Sequence, residues 1–211
     1  MKIFLTTAFV IALQLFANSK VFASEQLSWE VRLALAETTE SFTMNELDTG
    51  LGIEAGLTYQ ITAHFAAYTA INIFSFDASS NTGIDDAVAS DYGLMAGVYL
   101  TGELPTKLKS NYRFRIGTSL AETAVFENGN ELGSTRFRTG WELGAGIVFS
   151  LGDKWQLVPE IGGKWQLIPE IRHRITPSRT LTLEPTATND GFSSDIEMNY
   201  TIFSIGLKRS F

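Results

Sequence analysis

The stretch RFRTGWELGAGIVFSL, residues 136–151, alternates almost throughout. Phe137, Trp141, Leu143, Ala145, Ile147, Phe149 and Leu151 fall on one parity; Arg136, Arg138, Gly140, Glu142, Gly144 and Gly146 fall on the other. A period of two belongs to a β-strand, whose successive side chains point to opposite faces. A soluble sandwich would turn Thr, Ser, Lys and Glu to water on its polar side. Here that side mixes Gly with Arg and Glu, and the other carries large aliphatic and aromatic groups. The combination fits the wall of a narrow transmembrane barrel, where bulky apolar side chains face lipid and the lumen takes small residues and paired charges.

The pattern recurs along the chain. WEVRLALAE (29–37), LGIEAGLTYQI (51–61) and YRFRIGTSL (112–120) alternate in the same way. HFAAYTAINIFSF (64–76) is apolar on both parities, and Phe65, Ile71 and Ile73 are assigned outward. Strands are expected over 28–37, 50–61, 64–76, 91–100, 111–121, 136–151, one within 155–175, and 196–211. Long polar connections alternate with short ones, the habit of barrels with long extracellular loops and short periplasmic turns. The fold class expected is therefore all-β, an eight-stranded antiparallel transmembrane β-barrel.

The N-terminus points to export. Lys2 precedes the apolar run IFLTTAFVIALQLFA, and small residues at Val21 and Ala23 set cleavage after Ala23. Residues 1–23 are expected to be a signal peptide and 24–211 the barrel domain. Without Lys2 and Lys20, 14 of the 16 basic residues remain against 23 acids, a mature net charge of −9. That balance, with no basic cluster, argues against nucleic acid as a partner. The chain has no cysteine, so no disulfide staples it. Beyond the leader no apolar run is long enough for a spanning helix, which leaves a closed barrel as the route across a membrane.

The chain ends in NYTIFSIGLKRSF (199–211). Phe203, Ile205, Leu207 and Phe211 resemble the C-terminal signal read by the barrel-assembly machinery of Gram-negative bacteria. Arg209 departs from it, standing where an apolar or aromatic residue is usual; an arginine can snorkel to the interface there. WQLIPEIRHRIT (165–176) looks like the penultimate strand of the opacity-type and OmpA/OmpX-like small outer-membrane barrels. Glu170 and Arg172 stand at the matching polar positions, while Ile171 and His173 replace the usual aromatics. The resemblance implies a surface-exposed, monomeric barrel in the cell outer membrane. Its partners would be outer-membrane lipid, lipopolysaccharide, the assembly machinery, and a host or cell-surface ligand met by the loops.

KWQLVPEIGGKWQLIPEI (154–171) repeats itself after ten residues, an even number that preserves strand parity. The first copy could lengthen the strand, swell a periplasmic turn around Gly162 and Gly163, or be a strand itself. In the last case RTLTLEP (179–185) would restore even parity and give ten strands. Pro159 and Pro169 should each mark a bulge or strand end.

The chemistry of catalysis is thin. The only histidines are His64, at an expected turn, and His173, on the lipid-facing parity; both read as interfacial residues. No helix-borne metal pair, phosphate loop or nucleophile elbow appears, and no cofactor or metal is expected. The informative polar set is the inward parity: Glu30, Arg32, Glu54, Arg113, Arg115, Arg136, Arg138, Glu142, Glu170, Arg172, Arg174 and Lys208. Such charges must pair inside a narrow barrel, as a structural plug or as a gate whose re-pairing opens a pore. Acids at Glu37, Glu40, Glu46, Asp48, Asp77, Asp85, Asp86 and Asp91 are assigned to the first two long loops or their edges. The expected role is structural or surface-displaying, in adhesion or envelope integrity. The alternatives are a small channel or uptake barrel for small solutes or hydrophobic compounds and, third, a barrel enzyme acting on lipid A.

Overall fold

The computed structural model describes residues 26–39, 49–77, 87–105, 110–151, 165–183 and 192–210. Among the described residues there are eleven strands: β1 (Leu27–Thr38), β2 (Gly50–Gln60), β3 (Phe65–Asp77), β4 (Ala87–Glu103), β5 (Ser110–Glu127), β6 (Asn130–Ser134), β7 (Arg138–Ser150), β8 (Trp165–Ile175), β9 (Arg179–Leu183), β10 (Phe192–Ile196) and β11 (Tyr200–Ser210). Pairing runs β5-β4-β3-β2-β1-β11-β8-β7, and β7 returns to β5. The result is a closed, antiparallel eight-stranded barrel. The ten-stave alternative fails, because β9 (RTLTL) pairs with β6 and β10 and takes no place in the wall. The first copy of the tandem repeat lies outside the described residues. The second copy forms β8 from Trp165 onward.

Burial follows the expected parity. Leu33, Leu35, Phe65, Ile71, Leu143, Ile147 and Ile171 are exposed on the outer wall, and Ile73 is partly so. Aromatic side chains gather at both rims of this apolar band. At the rim shared by both ends of the barrel chain, Trp29, Arg209 and Trp165 are register neighbours on β1, β11 and β8. The two indoles meet edge to face at 5.5 Å, and the Arg209 guanidinium lies 5.6 Å from the Trp165 ring centroid. That cover explains how an arginine is accommodated on the outward parity. At the opposite, extracellular rim stand Tyr92, Phe137 and Trp141.

Two staves outrun the membrane. β4 and β5 are 17 and 18 residues long, beyond the roughly 9–11 a tilted strand needs to cross. The far end of β5 turns through Asn128 and Gly129, at φ 49° and 79°, and returns as β6. Two left-handed residues are what a two-residue type I′ hairpin requires. After an irregular step over 135–137 the same chain re-pairs with β5 as β7. The segment ETAVFENGNELGST, expected as a loop, is thus mostly a hairpin standing above the wall. β9 and β10 extend it sideways.

Candidate functional site

The lumen is filled in two storeys, and the wall makes room for both. Glycines sit on the inward face where a neighbour needs the space. A Cβ on Gly52 would overlap the Phe74 ring, and one on Gly117 the Tyr68 hydroxyl. Removing side chains from one stave lets bulky groups from another reach the axis.

The periplasmic storey is a column of ion pairs. Arg113 bonds Glu30 at 3.0 Å and Glu170 at 2.6 Å. Arg32 bonds Glu170 at 3.0 Å and also contacts Glu30. Above them Arg115 meets Glu54 at 2.9 Å and Glu142 at 3.0 Å, while Arg172 meets the same two acids at 2.7 and 3.1 Å. Arg174 continues the column from Glu142, at 3.0 Å, to Asp91, at 3.4 Å. Asp91 accepts from the Tyr200 hydroxyl at 2.6 Å and from Thr123 at 3.0 Å, and faces Arg179 of β9 at 3.4 Å. Aromatic faces carry part of the positive charge. The Arg113 guanidinium lies 4.4 Å from the Tyr99 centroid and that of Arg115 4.3 Å from Tyr68, the two tyrosines being stacked at 4.4 Å. Leaving any one of these charges alone in such surroundings would cost several kcal/mol, so each acid serves more than one arginine.

The extracellular storey is apolar. Phe74, Phe76, Ala87, Ala89, Val125 and Ile202 of the staves pack with Leu132 of β6, Leu181 and Leu183 of β9, Ile196 of β10, and Met198. The extra strands are therefore bound to the barrel mouth by a core continuous with the lumen.

Of the charged residues expected in the lumen, Glu30, Arg32, Glu54, Arg113, Arg115, Glu142, Glu170, Arg172 and Arg174 are buried there. Lys208 is half-buried and stands opposite Glu30 in the register. Arg136 and Arg138 are not lumenal: both are exposed. The irregular step over 135–137 takes Arg136 out of the strand, whereas Arg138 keeps the parity of Glu142 but stands at the very end of β7, at the rim above the enclosed lumen. Asp91, assigned to a loop edge, is fully buried inside β4. Its parity, shared with Gly93, Gly97 and Tyr99, was the available signal. Tyr200 shares the inward parity of Lys208 on β11, whereas Arg179 had no such signal, since its role depends on the extra strand β9. Glu37 and Asp77 are exposed at strand ends, while Glu40, Glu46, Asp48, Asp85 and Asp86 lie outside the described residues. Phe203 and Ile205 point outward and Leu207 is partly exposed; Phe211 lies outside the described residues. The His64 side chain, in a turn, donates from Nδ1 to the Thr101 carbonyl at 3.1 Å, and His173 meets Thr201 on the outer wall at 3.3 Å.

With this geometry the comparisons with known proteins agree. Residues 5–211 match the family described as the outer membrane protein β-barrel domain. The chain belongs to that family. Among solved structures, Neisserial surface protein A (NspA) is similar at a TM-score of 0.54 and 12% identity, covering 88% of this chain and 96% of that one. OprG from Pseudomonas aeruginosa is similar at 0.58 and 9% identity, covering 87% and 95%. The outer membrane protein AlkL, determined in DMPC bilayers, is similar at 0.52 and 12% identity, covering 88% and 89%. At these identities the likeness is one of fold. No curated protein sequence matches the chain. The family and the fold place the protein in the outer membrane of Gram-negative bacteria.

Proposed function

We propose that this outer-membrane barrel is a structural and surface-display protein. Its lumen is closed by paired charges, and its outer end carries a β-platform for contacts in adhesion or envelope integrity. The observation that carries the proposal is the continuous core joining the upper lumen to β6, β9 and β10. Apolar anchoring makes the platform a fixed surface, and a fixed surface binds at lower ordering cost than a free loop. The ion-pair column below it occupies the path that water would need. His64 and His173 sit at different ends of the barrel and serve no shared centre, so we assign no catalysis to them.

Export belongs to the same proposal: residues 1–23 are removed, so N-terminal sequencing of protein isolated from outer membranes should begin at Ser24. Assembly would use Phe203, Ile205 and Leu207 together with Phe211 as the recognised terminal strand.

The decisive experiment is electrical. The mature chain is refolded in detergent, its folding confirmed by a heat-dependent gel shift, and currents are recorded across a planar bilayer. A folded but silent barrel is the expected result. Discrete, reproducible conductance steps would replace the display role with the channel or uptake role, and Arg115 and Glu142 would then be the first residues to change.

A further inference from the structure

The buried charges of the lumen do not sum to zero. In its lower part Arg32, Arg113, Arg115 and Arg172 are matched by Glu30, Glu54, Glu142 and Glu170. Lys208 stands apart, half-buried at the periplasmic mouth. At the extracellular end Arg174 and Arg179 meet one further acid among the described residues, Asp91. Arg174 also has Glu142 at 3.0 Å, so the excess positive charge falls on Arg179. That side chain is buried, yet its bonds are long: 3.4 and 3.5 Å to Asp91, and 3.3 Å to the Ala121 carbonyl. Its Nε–H has no partner among the described residues.

A second guanidinium stands at the same step of the wall. Arg138, on the inward parity of β7, is the register partner of Ala121; it is exposed and makes no ion pair among the described residues. The wall divides here. β7 pairs with β5 as far as Ala121, and β6 takes over from Ala124, so Arg179 of β9 reaches Ala121 where the two part. Two residues back along β5, Ser119 faces Gly140, and its buried hydroxyl is also without a partner among the described residues. A Cβ on Gly140 would come within 2.9 Å of that hydroxyl, so the glycine leaves it uncovered one step below Arg138. The nearby acids Glu122 and Glu131 stand by Tyr92, on the outward parities of β5 and β6.

We propose that Arg138 and Arg179, with the Ser119 hydroxyl, form a site at the extracellular mouth for a phosphate group, carried by inorganic phosphate or a water-soluble phosphate monoester. A dianion matches the two guanidinium groups, one buried and one at the rim. Guanidinium N–H groups form paired, charge-assisted bonds to phosphate oxygens. A buried charge without a full partner is costly, so an anion that neutralises Arg179 gains more than a surface contact would. Asp91 keeps Arg174, Tyr200 and Thr123. The site does not depend on the display role, since it needs no partner on the platform.

The test is isothermal titration calorimetry on the refolded mature chain in nonionic detergent at constant ionic strength. The probes are inorganic phosphate, glycerol 3-phosphate, acetate and a short-chain phosphatidic acid. Both water-soluble phosphates should bind, and acetate, with less charge, about tenfold more weakly. Arg138→Gln should weaken phosphate binding about tenfold, the scale of one charge-assisted hydrogen bond, and Arg179→Met at least as much. Arg136→Gln alters the neighbouring exposed guanidinium and should bind as the native chain does. Phosphate should also raise the unfolding midpoint of the native chain and leave that of Arg138→Gln unmoved. Phosphate binding no tighter than acetate, or undiminished in a folded Arg138→Gln, would overturn the site. An equal loss in Arg136→Gln would show a general basic rim and overturn the assignment to Arg138 and Arg179. Tighter binding of phosphatidic acid than of glycerol 3-phosphate would place the ligand in the membrane and overturn the water-soluble assignment.

Discussion

Glu170 is the acid on which the lower lumen turns, since it takes Arg113 at 2.6 Å and Arg32 at 3.0 Å while itself buried. Glu170→Gln keeps the shape and removes the charge, leaving Arg113 and Arg32 to share Glu30, with Glu54 at 3.5 Å from Arg32 as the other acid in reach. The expected cost is about 3–5 kcal/mol, the range for breaking a buried pair from one side. Denaturant unfolding of the refolded barrel, followed by the gel shift, should show the midpoint fall accordingly; an unchanged midpoint would mean the column contributes little. A steric counterpart is Gly52→Ala, which forces the Phe74 ring to move and should destabilise by about 1–3 kcal/mol in the same assay. At this scale parity was a good guide to side and a poor guide to height. It placed Glu54, Arg115 and Arg172 inward, but could not say that Arg138 stands at the rim, because depth depends on register between strands distant in sequence.

Most staves were legible as elements because they repeat a two-residue period over most of their length, β3 with apolar residues on both parities being the exception, and β1, β2 and β7 differ from expectation only at their ends. β6, β9 and β10 were not, since each is only five residues long. Their exposed faces are Thr, Ser, Glu and Asn, the composition of a loop, and Leu181 and Leu183 acquire meaning only once the barrel mouth lies beneath them. The Asn128–Gly129 pair between alternating runs was the one local signal for the hairpin. Its positive φ values make a prediction at the scale of the element. Gly129→Val places a β-branched side chain in a left-handed turn, which should loosen β6 and, through the β6–β9 pairing, the platform. Hydrogen exchange should rise at least tenfold in β6, β9 and β10 while β1, β2 and β11 keep their protection. Uniform loosening of the staves would instead make the platform inseparable from the barrel.

For the molecule as a whole, the tandem repeat asks what length the barrel requires. β7 ends at Ser150 and β8 begins at Trp165, and the Leu151 N–H already donates to the Trp165 carbonyl at 3.0 Å. The ends of the two staves are therefore adjacent, and the chain between them is longer than a tight periplasmic turn demands. Deleting residues 154–163 would join Asp153 to Lys164 and leave Leu151, Gly152, Asp153 and Lys164 as the whole connection. Hairpin loops of about four residues are common. The deletion is even, so Glu170 and Arg172 return to the lumen and Ile171 to lipid without a change of face. The shortened chain should refold with the same heat-dependent shift and an unfolding midpoint within experimental error of the full-length protein, because loop closure changes only slowly with length. A marked loss of stability would show that the first copy contributes contacts of its own. Equal stability would identify the second copy, with Glu170 and its two arginines, as the part the closed barrel needs.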